Sequence, residues 1–334
     1  MKNLKEYLTE GFKLGKNYKK PYNYHPKTDD ELRDLIKKLI KERGNKADLN
    51  DIDTSEIIDM SKLFWNSEFD GDISKWNVSN VKNMSELFSY SMFNGDISKW
   101  NVSNVTNMSN MFDSSSFTGK NGDISNWDVS NVIYMSAMFA GSKFTGKRGD
   151  ISNWDVSNVI TMENMFMNSV YNGDLSNWNV RKVRNMSGMF MHSKFDGDLS
   201  GWNVSSAQDM SYMFIASKFT GKNGNISNWN VRKVRNMSGM FMDSKFDGDL
   251  SRWDVSNVEN MSYMFEESLF TGENGDISRW DVSNVTDMSY MFSKSKLSRK
   301  NSDISKWNVD KNTKISKMFS GTALGGKERT WFKK

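Results

Sequence analysis

The chain has 334 residues, 45 Lys and Arg against 41 Asp and Glu, no cysteine, and two histidines, His25 and His192. Without cysteine there is no disulfide, thiol catalysis or thiolate-held metal, and two histidines exclude a histidine-rich metal centre. The formal charge of +4 is unevenly placed: residues 1–27 carry seven Lys and two Glu, so the remainder sits near −1.

Apolar residues make up 37% of the chain, and a mean hydropathy of -0.68 leans toward disorder. They recur at fixed offsets, however, so a packed structure is expected. No run of about 18 apolar residues occurs, which predicts no membrane-inserted helix. The first residues lack the apolar core of a secretory signal. The expected placement is cytoplasmic or phage-associated rather than classically secreted.

In chain order, residues 1–27 read as a basic tail. Leu4, Tyr7, Leu8 and Phe12 line one side of a short helix that Gly15, Pro21 and Pro26 break. Leu8-Thr-Glu10 before Gly11 resembles the apolar-x-Glu cleavage signal of tailed-phage prohead proteases. Residues 28–50 read as a capping helix. Thr28-Asp-Asp-Glu31 is a capping box, Leu32, Leu35, Ile36, Leu39 and Ile40 share one face, and Gly44 is the stop.

Residues 51–319 are a repeat of about ten to eleven coils, and residues 320–334, with Trp331 and Phe332, form a C-terminal cap. The repeated tryptophans run from Trp76 and Trp100 to Trp307, with successive gaps of 24, 27, 27, 24, 24, 27, 24, 27 and 27 residues. Such a period marks a solenoid, in which each coil buries its apolar face only against its neighbours.

Within the coil at 122–139, Ile124, Trp127 and Val129 fall in the spacing of a leucine-rich-repeat strand, with Trp127 and Val129 inward. Met135, Met138 and Phe139 are i, i+3 and i+4, one side of a short helical turn. The predicted fold class is an α/β repeat solenoid: a right-handed, leucine-rich-repeat-like coil with a parallel strand face, short helical turns opposite, and the N-terminal helix as its cap. Ten coils at strand spacing span on the order of 50 Å. The longer coils insert three residues, as at Phe117-Thr-Gly-Lys-Asn-Gly-Asp123, where glycine is expected to supply positive φ. The Gly-Asp column from Asp72 to Asp303 is expected to accept backbone N–H bonds at its own turns rather than form a calcium ladder. The Asn of Val-Ser-Asn-Val, as at Asn131, is expected to ladder backbone groups.

The strand half and the phrase Val-Ser-Asn-Val-x-x-Met-Ser-x-Met-Phe resemble the BspA-like leucine-rich repeats common in mycoplasma lipoproteins and bacterial surface proteins, which also occur in phage genomes. The resemblance covers about residues 51–319. It implies a right-handed solenoid that acts in surface adhesion or protein binding and has no enzymatic activity. No signal peptide, lipobox or wall anchor is expected from this sequence, and in this it departs from the secreted members of that family.

Candidate binding residues are the variable ones. Beside the tryptophans stand Asp128, Asp155, Asn177, Asn179, Asn203, Asn228 and Asn230. The segment 177–191 returns unchanged at 228–242, and in both copies Ser-Asn is replaced by basic residues: Arg181, Lys182 and Arg184, then Arg232, Lys233 and Arg235. Two coils apart, the six would form a basic patch spanning about 10 Å. Neither a cofactor nor a metal is expected. With no nucleophile–base pair or phosphate loop, the chain is expected not to be an enzyme. The expected partner is a protein or a glycan. An acidic partner or nucleic acid at the patch, and a structural phage role, are the alternatives, with nucleic acid disfavoured by the near-neutral repeat. The sequence does not set an oligomeric state.

Overall fold

The computed structural model describes residues 22–298, 300 and 303–324. Thr28 Oγ1 accepts the Glu31 N–H at 3.2 Å, and the Glu31 carboxylate accepts the Lys27 N–H at 2.7 Å. These bonds start helix α1, Asp29–Arg43, which buries Leu32, Ile36 and Leu39. Gly44, at φ 83°, ends it and donates to the Ile40 carbonyl at 2.8 Å. The buried face of α1 joins an apolar core that continues to Leu324. Part of the expected tail is built into this end: Tyr24 bridges Ile52 in parallel, and Arg43 packs over the Tyr24 ring while pairing with Asp51 at 3.0 Å. The segment with Leu4–Phe12, its Leu8–Glu10 signal, Trp331 and Phe332 lie outside the described residues.

The repeats stack as expected, but the α/β fold class is wrong. Among the described residues α1 is the sole α-helix, joined by one 3-10 turn at Ile304–Lys306. Among the described residues there is no strand face. Among these residues parallel pairing occurs as isolated bridges: Tyr24–Ile52 and Asp48–Asp72 lie at the N-terminal end, and one column runs Asp59, Asn83, Asn107, Tyr134 and onward to Lys314. That column precedes the first Met of each repeat and does not include the tryptophans. The Trp segment is a tight turn: the Trp127 N–H returns to the Ile124 carbonyl at 3.2 Å, and Val132 returns to Val129 at 2.9 Å.

The Met-Ser-x-Met-Phe half is not helical either, for a stereochemical reason. Its third residue, and the residue four further on, sit in the left-handed region: Glu86 and Tyr90, Asn110 and Ser114, Ala137 and Gly141. A left-handed residue interrupts an α-helix at once. The i, i+3, i+4 apolar pattern is met instead by consecutive turns. Met138, Ala140 and Ser142 donate to the carbonyls three residues back, at 3.3, 3.1 and 3.3 Å. The alternate amides, Ala137, Phe139 and Gly141, donate to Glu163, Met165 and Met167 of the next coil at 2.7, 3.0 and 2.7 Å. In an α-helix every one of these amides would be used within its own coil, and the coils could not bond to each other here.

The core placement of the apolar residues holds. Trp127, Val129, Met135, Met138 and Phe139 are all buried, and the Phe rings stack without a break from Phe64 to Phe319, while Trp rings stack in shorter runs such as Trp202, Trp229 and Trp253. Trp76 and Trp100 are parallel at 6.4 Å, and Phe88 and Phe112 lie 5.7 Å apart. Each repeat tryptophan also donates its indole N–H to the preceding coil, as Trp127 does to the Ile97 carbonyl at 3.2 Å and Trp154 to the Ile124 carbonyl at 3.1 Å. Among the described residues no buried side-chain nitrogen or oxygen lacks a partner.

Glycine serves two purposes. In long coils it supplies positive φ, as at Gly119, φ 75°. In short coils it permits close approach: a Cβ on Gly71 would stand 2.1 Å from the Ala47 carbonyl and 2.7 Å from the Phe69 ring.

Two substitutions test this account by urea unfolding. Trp154→Phe keeps the ring but removes one of the two hydrogen bonds that the Ile124 carbonyl accepts, the Trp127 N–H remaining, and lowers stability by about 0.5–1.5 kcal/mol. Asn110→Val places a β-branched residue in the left-handed region and destabilises by about 1–2 kcal/mol, whereas Asn110→Gly is neutral or stabilising. Equal effects of Val and Gly would refute the backbone argument.

Candidate functional site

The face that carries the tryptophan-flanking residues consists of two columns with different duties. The residue after Trp closes an Asx turn. Asp128 and Asp155 accept the N–H of Ser130 and Ser157 at 3.1 and 3.0 Å. Asn179, Asn203 and Asn230 accept the N–H of Arg181, Ser205 and Arg232 at 3.3, 3.1 and 3.2 Å. One side-chain oxygen at each of these predicted binding positions is therefore occupied by the fold, which restricts the column to Asn and Asp. The residue before Trp has no such turn. That column reads Lys75, Lys99, Asn126, Asn153, Asn177, Gly201, Asn228, Arg252, Arg279 and Lys306, all exposed.

The two columns meet the basic segment around Trp229. Asn228, Asn230, Arg252 and Asp254 line a shallow cleft of about 280 Å³. Arg252 Nη1 donates to Asn228 Oδ1 at 3.0 Å, and Arg232 Nε lies 3.8 Å from Asp254 Oδ2. Arg235 pairs with Glu259 of the next coil. Arg184 and Arg235 sit on either side of Gln208, whose N–H donates to Arg184 O and whose carbonyl accepts from Arg235 N, both at 2.8 Å. Lys182 donates to Asn158 Oδ1 at 2.7 Å. Arg181, Lys182, Arg184, Arg232, Lys233 and Arg235 are all exposed, as the sequence predicts. They are not one uniform basic patch, because carboxylates from the following coils face two of the six. Such exposed pairs are weak individually, yet they convert the C-terminal half of the patch into an alternation of cation, amide and carboxylate.

The other polar columns are structural. Asp123 and Asn225 accept the N–H of Ser125 and Ser227 at 2.9 and 2.8 Å, so a carboxylate and an amide serve equally in the Gly-Asp column. Asn104 and Asn131 donate to the Ser79 and Ser103 carbonyls of the preceding coil at 2.7 and 2.8 Å. The sequence reading missed a third such column. Buried serines such as Ser91 and Ser169 accept the N–H of Phe93 and Tyr171, both at 3.1 Å. It also missed a clamp. Asp196 Oδ1 accepts the Thr220 N–H at 2.8 Å, and the Asp196 carbonyl accepts Asn223 Nδ2 at 2.7 Å. Asp247 receives Thr271 and Asn274 in the same way. The signal was legible: an Asp or Asn before the short-coil Gly, followed one coil later by Thr-Gly-x-Asn-Gly.

A family model described as "Mycoplasma protein of unknown function, DUF285" matches five overlapping stretches, residues 33–147, 115–222, 142–245, 193–294 and 215–331. No curated protein and no solved structure matches the chain.

The Asx turns carry a pH signature. The Ser157 hydroxyl and N–H hold the Asp155 carboxyl below its ordinary range, and Ser256 does the same for Asp254. A carboxyl lowered in the folded state contributes stability that is present above its unfolded value, about 4, and is lost as pH falls through the folded value. Unfolding midpoints in urea should therefore hold above about pH 5 and drop below about pH 4. The double variant Asp155→Asn, Asp254→Asn keeps both turns, as Asn179 and Asn230 do, and flattens part of that drop. A steeper acid drop in the double variant would refute the assignment.

Proposed function

We propose that this chain, which belongs to the DUF285 family of Mycoplasma proteins, is a non-enzymatic binding scaffold whose tryptophan-flanking face engages a protein or glycan. One observation carries the reading. Of the two outward columns, the one without a backbone duty varies from Lys through Asn and Gly to Arg, above a nearly invariant core. Variation confined to positions that the fold does not constrain is what a ligand-selecting surface requires.

The cleft at Asn228, Asn230, Arg252 and Asp254 is the best-defined part of that face. It offers amide donors and acceptors, one guanidinium and one carboxylate in a small area. This set suits sugar hydroxyls or an extended peptide backbone better than a uniformly charged polymer. The likeness of the repeat phrase to BspA-like repeats supports an adhesion role for such a scaffold. Arg232 and Arg235 already face carboxylates, which weighs against nucleic acid at this face.

The triple variant Asn228→Ala, Asn230→Ala, Arg252→Ala should lose at least about ten-fold in affinity for the ligand, since hydrogen bonds to charged groups are each worth about 1.5–3 kcal/mol. Binding is read on a glycan array and by pull-down from surface-protein extracts, beside the charge-reversed variant Arg181→Glu, Arg184→Glu. If every partner of the wild type stays bound to the triple variant, the ligand site is elsewhere.

A further inference from the structure

A different edge of the stack carries a feature that neither the fold nor the tryptophan face accounts for. The position between the buried serine and the next core residue reads Glu68, Met92 and Ser116 on the first coils, then Lys143, Val170, Lys194, Lys218, Lys245, Leu269 and Lys296 on seven successive coils. The backbone fixes the register. The N–H groups of Lys194, Lys218 and Leu269 donate to Ser169, Ser193 and Ser244 of the preceding coil at 3.1, 3.1 and 3.0 Å. Each acceptor is the residue just before the row member of that coil. At about 4.8 Å per coil the row is about 29 Å long.

All seven side chains are exposed. Among the described residues, none of the five lysines forms an ion pair. Asp196 and Asp247, two residues after Lys194 and Lys245, are taken up in clamping the next loop. Glu267 is taken by Lys294, and Asp243, Asp247 and Asp249 are the acidic groups near Lys245. Three of the four long Thr-Gly loops add exposed lysines on this same edge, Lys120, Lys147 and Lys222, and the fourth carries Glu273. Lys222, Lys245 and Lys296, with Asp247 and Asp249, line a cleft of about 770 Å³ that has Leu269 at its wall, so three cations face two carboxylates there.

Like charges on adjacent rungs destabilise a stack, so Lys194, Lys218 and Lys245 in succession are not there for the fold. They suit an extended anionic surface. The two interruptions decide which kind. Val170 is 36% and Leu269 47% exposed in the line of the lysines. Exposed aliphatic side chains gain nothing from a sulfated sugar or a phosphodiester chain, and the row has no aromatic ring on which bases could stack. They do gain by entering the headgroup boundary of a bilayer, which basic residues hold electrostatically. We propose that this edge docks peripherally on an anionic lipid surface, the lysines meeting lipid phosphates and Val170 and Leu269 entering the interface.

The test is co-sedimentation of the full chain with vesicles of phosphatidylglycerol and phosphatidylcholine in equal parts, with pure phosphatidylcholine vesicles, heparin and single-stranded DNA as separate arms. The chain should bind the anionic vesicles, release in high salt, and ignore pure phosphatidylcholine. Lys194→Gln, Lys218→Gln, Lys245→Gln together should weaken vesicle binding by roughly 100-fold, about five-fold per lysine. Val170→Ser with Leu269→Ser should weaken it further at unchanged charge. The Asn228→Ala, Asn230→Ala, Arg252→Ala variant should bind vesicles as the wild type does, so the two sites fail or stand separately. Equal binding to both vesicle types, an unaffected triple-Gln variant, or binding to heparin or DNA with no effect of the Val170 and Leu269 changes would each overturn the lipid assignment.

Discussion

The structure depends on how the backbone amides of the Met-Ser-x-Met-Phe half are shared. Every second amide closes a local turn, and the ones between cross to the next coil. That alternation requires left-handed residues at two fixed places per coil, filled by glycine at Gly141, Gly188, Gly239 and Gly321 and by ordinary residues elsewhere. A non-glycine residue there costs roughly 1–2 kcal/mol. The stack tolerates this because each such residue frees its neighbours to bond between coils. The cross-coil bonds in turn set the spacing at which the Phe and Trp rings stack and the indoles reach back to the preceding carbonyl.

This explains how much was legible in the sequence. The period, the buried tryptophans, methionines and phenylalanines, helix α1 with its Thr28 and Glu31 bonds, and the Asx role of the Gly-Asp column all follow from spacing and side-chain chemistry. The element types did not follow. Ile124, Trp127 and Val129 alternate as a strand would, and Met135, Met138 and Phe139 are spaced as a helix would be. Both patterns are equally satisfied by turns that present the same side chains inward. Apolar spacing reports which residues share a side and is silent on the sign of φ. The one local hint was the residue inside Met-Ser-x-Met-Phe, where Asn and Gly recur, but Glu86, Tyr263 and Lys317 in the same column masked it.

The candidate site was legible in part, for a related reason. Residues beside Trp were singled out because they are polar and outward, and they are exposed. What sequence could not separate was the polar group that binds its own backbone from the one left for a ligand. Asn179 and Asn228 look alike on the page, yet the first closes a turn with Arg181 and the second accepts from Arg252 of the next coil. The six-cation patch failed as a unit because Asp254 and Glu259 come from later coils, at separations no local reading joins.

In a stack of this kind almost every polar position has a structural duty, and duty limits what can vary. Asx columns accept Asn or Asp, the buried serine column accepts the next aromatic N–H, and the Asn column ladders carbonyls. Positions outside these duties are few, and they fall in columns because the coils are in register. A change at such a position alters one rung of a line without disturbing the core beneath it. The column before Trp and the lysine row are lines of this sort on separate edges, so the fold lets each be tuned without reference to the other. That independence follows from the backbone bonding alone, since both lines rest on the same rungs yet contribute no side chain to them.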